Sequence, residues 1–290
     1  MSGFEPVWTE EPDGAGAREP ADVDPDGSSQ VESAGQAAPP RRRRRWLRWL
    51  VGIVSVLLVV AVGLLLWWVL RDPVAEPDAA AAAYADPRVE VSYEDGTLVL
   101  EPVDGHGDTG LVFYPGAAVP QEAYLATWVP IVAETGVSVF VPPMPLRLAI
   151  LASDRADTVI RIFPELTTWW VGGHSLGGAM AASFAGGTDP GELAGLVLFG
   201  AYATEGAGLA DRDDLVVLSV SGSEDGLSTP QDIDERAAFL PSTTTFVELD
   251  GVSHAQFGAY GEQAGDGTPT VSDDEARRLI ADAVTPLLAP

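Results

Sequence analysis

The sequence predicts an α/β fold, a mainly parallel sheet with helices on both faces, and two observations predict it. From about residue 87 onward, short apolar runs stopped by Gly or Pro alternate with longer stretches of helical spacing. Strands alternating with helices give a mainly parallel sheet covered on both sides. The 31 Gly and 23 Pro among 290 residues imply many turns rather than a helical bundle.

Taken in order, 89–92 and 97–101 read as short strands around Glu94-Asp95-Gly96, a hairpin signal. Leu111 to Tyr114 is an apolar run stopped by Pro115-Gly116. Residues 121–135 carry Tyr124, Leu125, Trp128, Ile131 and Val132 at helical spacing, ended by Gly136. A buried-type strand at 137–141 stops at Pro142-Pro143; a helix within 153–163 and a strand at 168–171 follow. Then come a helix at 176–185, strands at 195–199 and 215–220, a helix at 231–240 and a strand at 244–249. The last helix covers 272–288, with Ser272 and Glu275 forming a capping box. There is no internal repeat, and 87–290 makes one domain of ordinary size.

The N-terminal third is of another kind. Residues 1–45 form an acidic, Gly- and Pro-rich tail, expected to be disordered and ending in Arg41 to Arg45. The 22 residues Trp49 to Leu70 hold no charge, and at about 1.5 Å each they span about 33 Å, enough to cross a bilayer core. Trp46, Trp49, Trp67 and Trp68 lie at the ends, where such rings prefer the interface. The expectation is one transmembrane helix, with 46–71 as the anchor and the lipid bilayer as partner of 49–70. Six Arg precede the span and Arg71 with Asp72 follow it, which keeps the N-terminus cytoplasmic and the remainder outside. A cleavable signal competes, since Arg43-Arg44-Arg45-Trp46-Leu47-Arg48 faintly resembles a twin-arginine signal and the Ala79–Ala83 run could host a cleavage site. The apolar stretch is longer than a usual signal core, and the Ala run begins beyond its end. Residues 72–86, rich in Ala, Pro and acids, read as a linker.

Composition excludes several chemistries. No cysteine is present, so disulfides, zinc–thiolate sites and Cys nucleophiles are ruled out. All 16 basic residues are Arg, which removes serine–lysine catalysis and Schiff bases. From Asp72 onward 34 acids face 8 Arg, a net charge of −26, so no nucleic-acid partner is expected.

Gly173-His174-Ser175-Leu176-Gly177 matches Gly-x-Ser-x-Gly. It follows apolar Trp169-Trp170-Val171 and opens the helical stretch at Ala179-Met180-Ala181-Ala182, giving strand, sharp turn and helix. A nucleophile on a tight turn needs neighbours without side chains, and the following helix start offers amide N–H groups to a developing oxyanion. A serine also needs a base. Of three histidines, His174 adjoins Ser175 and reads as a packing or hydrogen-bonding residue, and His106 as a surface residue. His254 lies in a loop just after the last strand, the edge where open α/β sheets build sites, and is the expected base. Asp225, after the strand at 215–220, is the expected orienting acid; Glu224 is its neighbour, and Asp232 and Asp234 fall on the next helix. The oxyanion donors are expected to be the amides of Leu176 and Ala117, with Ala118 as fallback.

Phe113-Tyr114-Pro115-Gly116, Gly172 to Gly178, Gly222-x-x-Asp225 and Ser253-His254 together resemble the α/β-hydrolase superfamily over roughly residues 89–288. The likeness is strongest to bacterial membrane-anchored hydrolases akin to the esterase and dienelactone-hydrolase branches. It implies an α/β-hydrolase fold, a Ser175–Asp225–His254 triad, no cofactor and a small-molecule ester or acyl substrate. Acyl transfer, thioester or amide hydrolysis, and a catalytically silent binding module remain open beside it. Two departures from the pattern stand out: Tyr-Pro-Gly-Ala replaces the His-Gly-Gly of many lipases, and the nucleophile is Ser where dienelactone hydrolases often use Cys. About a dozen residues separate Tyr202 from Leu215, so no large cap domain is expected there. The pocket is then shaped by the loops at 142–148, with Met144, Leu146 and Leu148, and 254–260, with Phe257 and Tyr260; these apolars are either ordinary packing or, lining the site, suit a fairly small apolar acyl or alcohol part. Asp266, in Gly265-Asp266-Gly267, reads as a solvated turn rather than a metal loop.

Overall fold

The structure, a computed structural model, describes residues 42–70, 73–105 and 107–289. The tail at 1–41 and His106 lie outside the described residues. Helix α1, Arg42–Leu70, is continuous over 29 residues. Its described side chains, those of 46–60 and 62–63, are exposed. At 42–45, 61 and 64–70 it is described by its backbone alone. Over the described residues, no helix is long and apolar enough to cross a membrane.

The segment read as a linker is partly helical. Pro77 and Asp78 open α2, Pro77–Tyr84, and Ala83 on it is buried in the domain core. Pro at the first helical position and an acid in the first turn both favour that start.

Eight strands follow: β1 Val89–Glu94, β2 Thr97–Pro102, β3 Thr109–Tyr114, β4 Ser138–Val141, β5 Thr168–His174, β6 Gly195–Phe199, β7 Val216–Gly222 and β8 Thr245–Leu249. They form one sheet in the order β1-β2-β4-β3-β5-β6-β7-β8. Asp95 (φ 47°) and Gly96 (φ 79°) make the two-residue turn between β1 and β2, both left-handed as a type I′ hairpin requires. From β3 to β8 the pairing is parallel.

Side chains along the central strands alternate between two cores. Leu111, Phe113, Val197 and Phe199 pack with α3 (Leu125–Thr135) and α7 (Asp273–Leu288). Val112, Tyr114, Val171 and Leu198 pack with α4 (Arg155–Ile162) and α5 (Leu176–Gly187). The helix expected over 121–135 splits into a 3₁₀ turn at Gln121–Tyr124 and α3, which Gly136 ends in the left-handed region (φ 74°). Helix α6, Pro230–Arg236, is capped by Thr229 and Asp232. The cap of α7 is one-sided: Ser272 Oγ accepts the Glu275 N–H at 3.2 Å, while the Glu275 carboxylate turns to Arg278.

The strand order positions the site. The chain leaves β3 toward β4 on one side and leaves β5 toward β6 on the other, so their exit loops part at the β3/β5 boundary. Such a switch point opens a crevice at the C-terminal ends of the strands. The chain enters the domain at this same edge, where the Glu76 N–H donates to Ala259 O at 2.8 Å, in the loop after β8.

Candidate active site

β5 ends at His174, α5 begins at Leu176, and Ser175 between them sits at φ 55°, ψ −126°. A non-glycine residue there costs on the order of 1–3 kcal/mol and persists only where its surroundings hold it. The Ser175 N–H donates to Phe199 O at 3.0 Å, and Ser175 O accepts from Ala179 at 3.1 Å. Gly177 lets the turn close: a Cβ there would stand 2.2 Å from Tyr114 O and 2.3 Å from Pro115 O. A Cβ on Gly173 would stand 2.5 Å from the Gly177 carbonyl carbon. The elbow is therefore wedged, backbone to backbone, against the loop leaving β3.

That loop is fixed from below. The Gly116 N–H donates to Tyr124 Oη at 2.8 Å, and Tyr124 Oη lies 3.0 Å from His174 Nδ1. With its oxygen already accepting, the tyrosine donates to Nδ1, which puts the His174 proton on Nε2. Burial pushes the His174 pKa well below its ordinary value, and the nearby His254 adds to the shift, so the ring is neutral. Ala118 (φ 63°) donates its N–H to Arg147 O at 2.9 Å, which removes it as an oxyanion donor. The N–H groups of Ala117 and Leu176 have no acceptor among the described residues. Leu176 precedes Gly177 and Ala117 lies two residues past Pro115, so the two amides belong to the two segments that meet at the contact of Gly177 with Tyr114 and Pro115.

His254 and Asp225 meet as the sequence suggests. His254 Nδ1 lies 2.8 Å from Asp225 Oδ2, and both side chains are buried. Asp225 Oδ1 accepts the N–H groups of Leu227 (2.9 Å) and Ser228 (2.7 Å), which leaves Oδ2 to the imidazole. The pair lies over the end of β6, since a Cβ on Gly200 would stand 2.8 Å from Asp225 Oδ2 and 3.1 Å from His254 Nδ1. His254 Nε2 is buried without a hydrogen-bond partner among the described residues, and its ring centroid is 4.5 Å from that of His174, the residue before Ser175. Asp232 is occupied by the α6 cap, accepting from Thr229 at 2.7 Å and from Arg236 at 2.9 Å.

The three expected wall residues separate. Met144 lines a cavity of about 310 Å³ with Pro115, Val119, Gln121, Glu122 and Arg147, between the loops leaving β3 and β4. Leu146, at φ 51°, is 61% exposed on the rim. Phe257 is fully buried, stacked on Phe199 at 5.6 Å and packed beside His174 at 5.8 Å. It is core behind the histidine pair, the packing alternative the sequence left open for it. Asp266 is likewise no solvated turn: its carboxylate accepts four backbone N–H groups. Tyr124, the other residue the sequence reading passed over, carried only the signal of an apolar helix position.

The sequence model of the family described as "Alpha/beta hydrolase family" matches residues 110–278. Among solved structures, the esterase domain of a Rhodothermus marinus protein is 12% identical, with a TM-score of 0.51 over 69% of this chain and 96% of that one. MGS-MChE2, an α/β hydrolase enzyme from a metagenome of lagoon sediments at Mar Chica, Morocco, is 14% identical, with a TM-score of 0.50 over 68% and 99%. At these identities the likeness is one of fold. No curated protein matches the chain.

Proposed function

Because this chain belongs to the α/β-hydrolase family, we propose that it is a membrane-anchored serine hydrolase that cleaves a carboxylic ester. The observation that carries the reading is the buried 2.8 Å contact of His254 Nδ1 with Asp225 Oδ2 beside the strained Ser175 elbow. Ser175 Oγ attacks the ester carbonyl while His254 Nε2 takes its proton; Asp225 holds the imidazole by Nδ1 and stabilises the imidazolium. The N–H groups of Ala117 and Leu176, with the N-terminus of α5, stabilise the oxyanion. His254 returns the proton to the leaving alcohol as the C–O bond breaks. Water then attacks the acyl-enzyme with His254 again as base, releasing the acid and restoring Ser175.

The anchor reading rests on the uncharged run 49–70 and its Arg flank. Helix α1 ends at Leu70 and α2 begins at Pro77. Six residues separate the two, a reach of at most about 21 Å, and the last of them, Glu76, is tied to Ala259 at the sheet edge that carries Ser175. An ester borne by the membrane is therefore the substrate class this reading favours. A fluorophosphonate probe is expected to label the full-length protein and to spare Ser175→Ala; equal labelling of the two proteins would overturn the assignment of the nucleophile.

A further inference from the structure

His254 stands on the loop after β8, yet β8 is three strands from β5 in the sheet. At about 4.8 Å per strand the loop has to run roughly 14 Å back along the edge to bring its imidazole near the elbow. The roots of the two loops that carry the acid and the base are joined: Ser223 N–H donates to Leu249 O and Glu224 N–H to Val252 O, each at 3.0 Å. At their tips, beyond the His254–Asp225 contact itself, the join is made by one carboxylate. Asp266 Oδ1 accepts the N–H of Gly226 at 3.1 Å, of His254 at 3.1 Å and of Gly267 at 2.8 Å; Oδ2 accepts the N–H of Ala255 at 2.8 Å. Gly226 follows the acid and His254 is the base, so both tips hang on the same side chain. The backbones around it are in direct contact: a Cβ on Gly267 would stand 1.9 Å from Glu224 O, and one on Gly226 would stand 2.6 Å from Gly267 N. Among the described residues no Arg pairs with Asp266. Its charge is met by amides, and charge-assisted bonds of that kind are the strong ones.

We infer that Asp266 is a positioning residue of this site, a clamp that sets the His254–Asp225 geometry from outside the triad. The inference rests on the triad proposed above. Loosening the clamp lets the imidazole drift from both its acid and the nucleophile, and a displacement on the order of 1 Å costs about 100-fold in rate.

The test uses the full-length protein in detergent and a short-chain nitrophenyl ester, with rates taken per site labelled by the fluorophosphonate probe. Asp266→Ala is expected to lower kcat by about 10- to 100-fold with KM nearly unchanged. Asp266→Asn keeps one carbonyl oxygen for three of the four bonds and should recover most of the loss; it also serves if the alanine variant does not fold. In an Asp225→Asn background, adding Asp266→Ala should cost little, since the clamp acts through the acid it positions. Wild-type kcat in Asp266→Asn and Asp266→Ala, or full additivity of Asp266→Ala with Asp225→Asn, would overturn the inference. If Ser175→Ala is still labelled in the same preparation, the triad reading has failed instead.

Discussion

Ser175 is carried on a turn written in consecutive residues and braced by Phe199 and the loop leaving β3, whereas the tips that carry His254 and Asp225 are tied only by hydrogen bonds between loops, spanning up to 40 positions. On the nucleophile side, the strain at Ser175 is held by β5, α5 and two glycines within two residues of it. On the acid–base side, loops from β7 and β8 converge over β6 and are tied by hydrogen bonds that span 11 to 40 residues. The first arrangement is a rigid local motif. The second is assembled only when the whole sheet edge is in place, so substitutions far from the chemistry can disturb it.

The sharpest way to break the non-local half is at its centre. Asp225→Asn keeps the carbonyl for Leu227 and Ser228 but turns an amide N–H₂ toward His254 Nδ1, which forces the wrong tautomer. A loss of about 10⁴-fold in kcat is expected, the magnitude known for this exchange in a serine-protease triad. Steady-state kinetics on a nitrophenyl ester checks it. A loss below 10-fold would show that the pair contributes little to the reaction.

The local half breaks by a single methyl. Gly177→Ala places a Cβ 2.2 Å from Tyr114 O, so the elbow or the loop leaving β3 has to move. We expect about 3 kcal/mol of lost stability and a fall of about 100-fold in the rate of fluorophosphonate labelling. Gly187→Ala, at the far end of the same helix with nothing within 4 Å, is the control. It should stabilise slightly, by about 0.5 kcal/mol. If both variants unfold at the wild-type denaturant midpoint, the wedge between elbow and loop is not as tight as the contacts imply.

The same contrast explains what could be read from the sequence. The elbow was legible because its cause is local: Trp169-Trp170-Val171 marks a buried strand, and the glycines around Ser175 mark the turn. His254 and Asp225 were legible because each falls just after an apolar run, at the sheet edge where α/β sites form. The clamp was not. Gly265-Asp266-Gly267 announces a turn, but nothing in a linear sequence marks acceptance of N–H groups 12 and 40 residues away. Phe257 stayed open for a related reason, since aromatic residues of a core and of a pocket wall look alike until depth is known. Helix α2 had visible signals in Pro77, Asp78 and five Ala, but its acidic surroundings read as a linker. What ordered it was burial of Ala83, a tertiary effect.

His174 belongs to both halves and offers the finest test of their coupling. It precedes Ser175 in sequence, accepts from Tyr124 beneath the oxyanion loop, and lies with its ring centroid 4.5 Å from that of His254. Its folded pKa is held well below 6.5, by burial first and by His254 second. In the unfolded chain a histidine titrates near 6.5. Below that pH the unfolded state takes up a proton that the folded state refuses. The stability owed to this group is therefore fully present above about pH 6.5 and is lost as pH falls toward the folded pKa, by at most about 1.4 kcal/mol per pH unit. His174→Asn retains an acceptor for Tyr124 and removes the titration. Urea midpoints measured between pH 7.5 and 5 should decline less steeply in this variant than in the wild type. Comparing slopes rather than absolute stabilities cancels the shared groups that do not interact with His174, along with the packing cost of the substitution. Parallel declines would mean that His174 is protonated in the fold, and that the neutral ring assigned to the link between Tyr124 and the oxyanion loop is wrong.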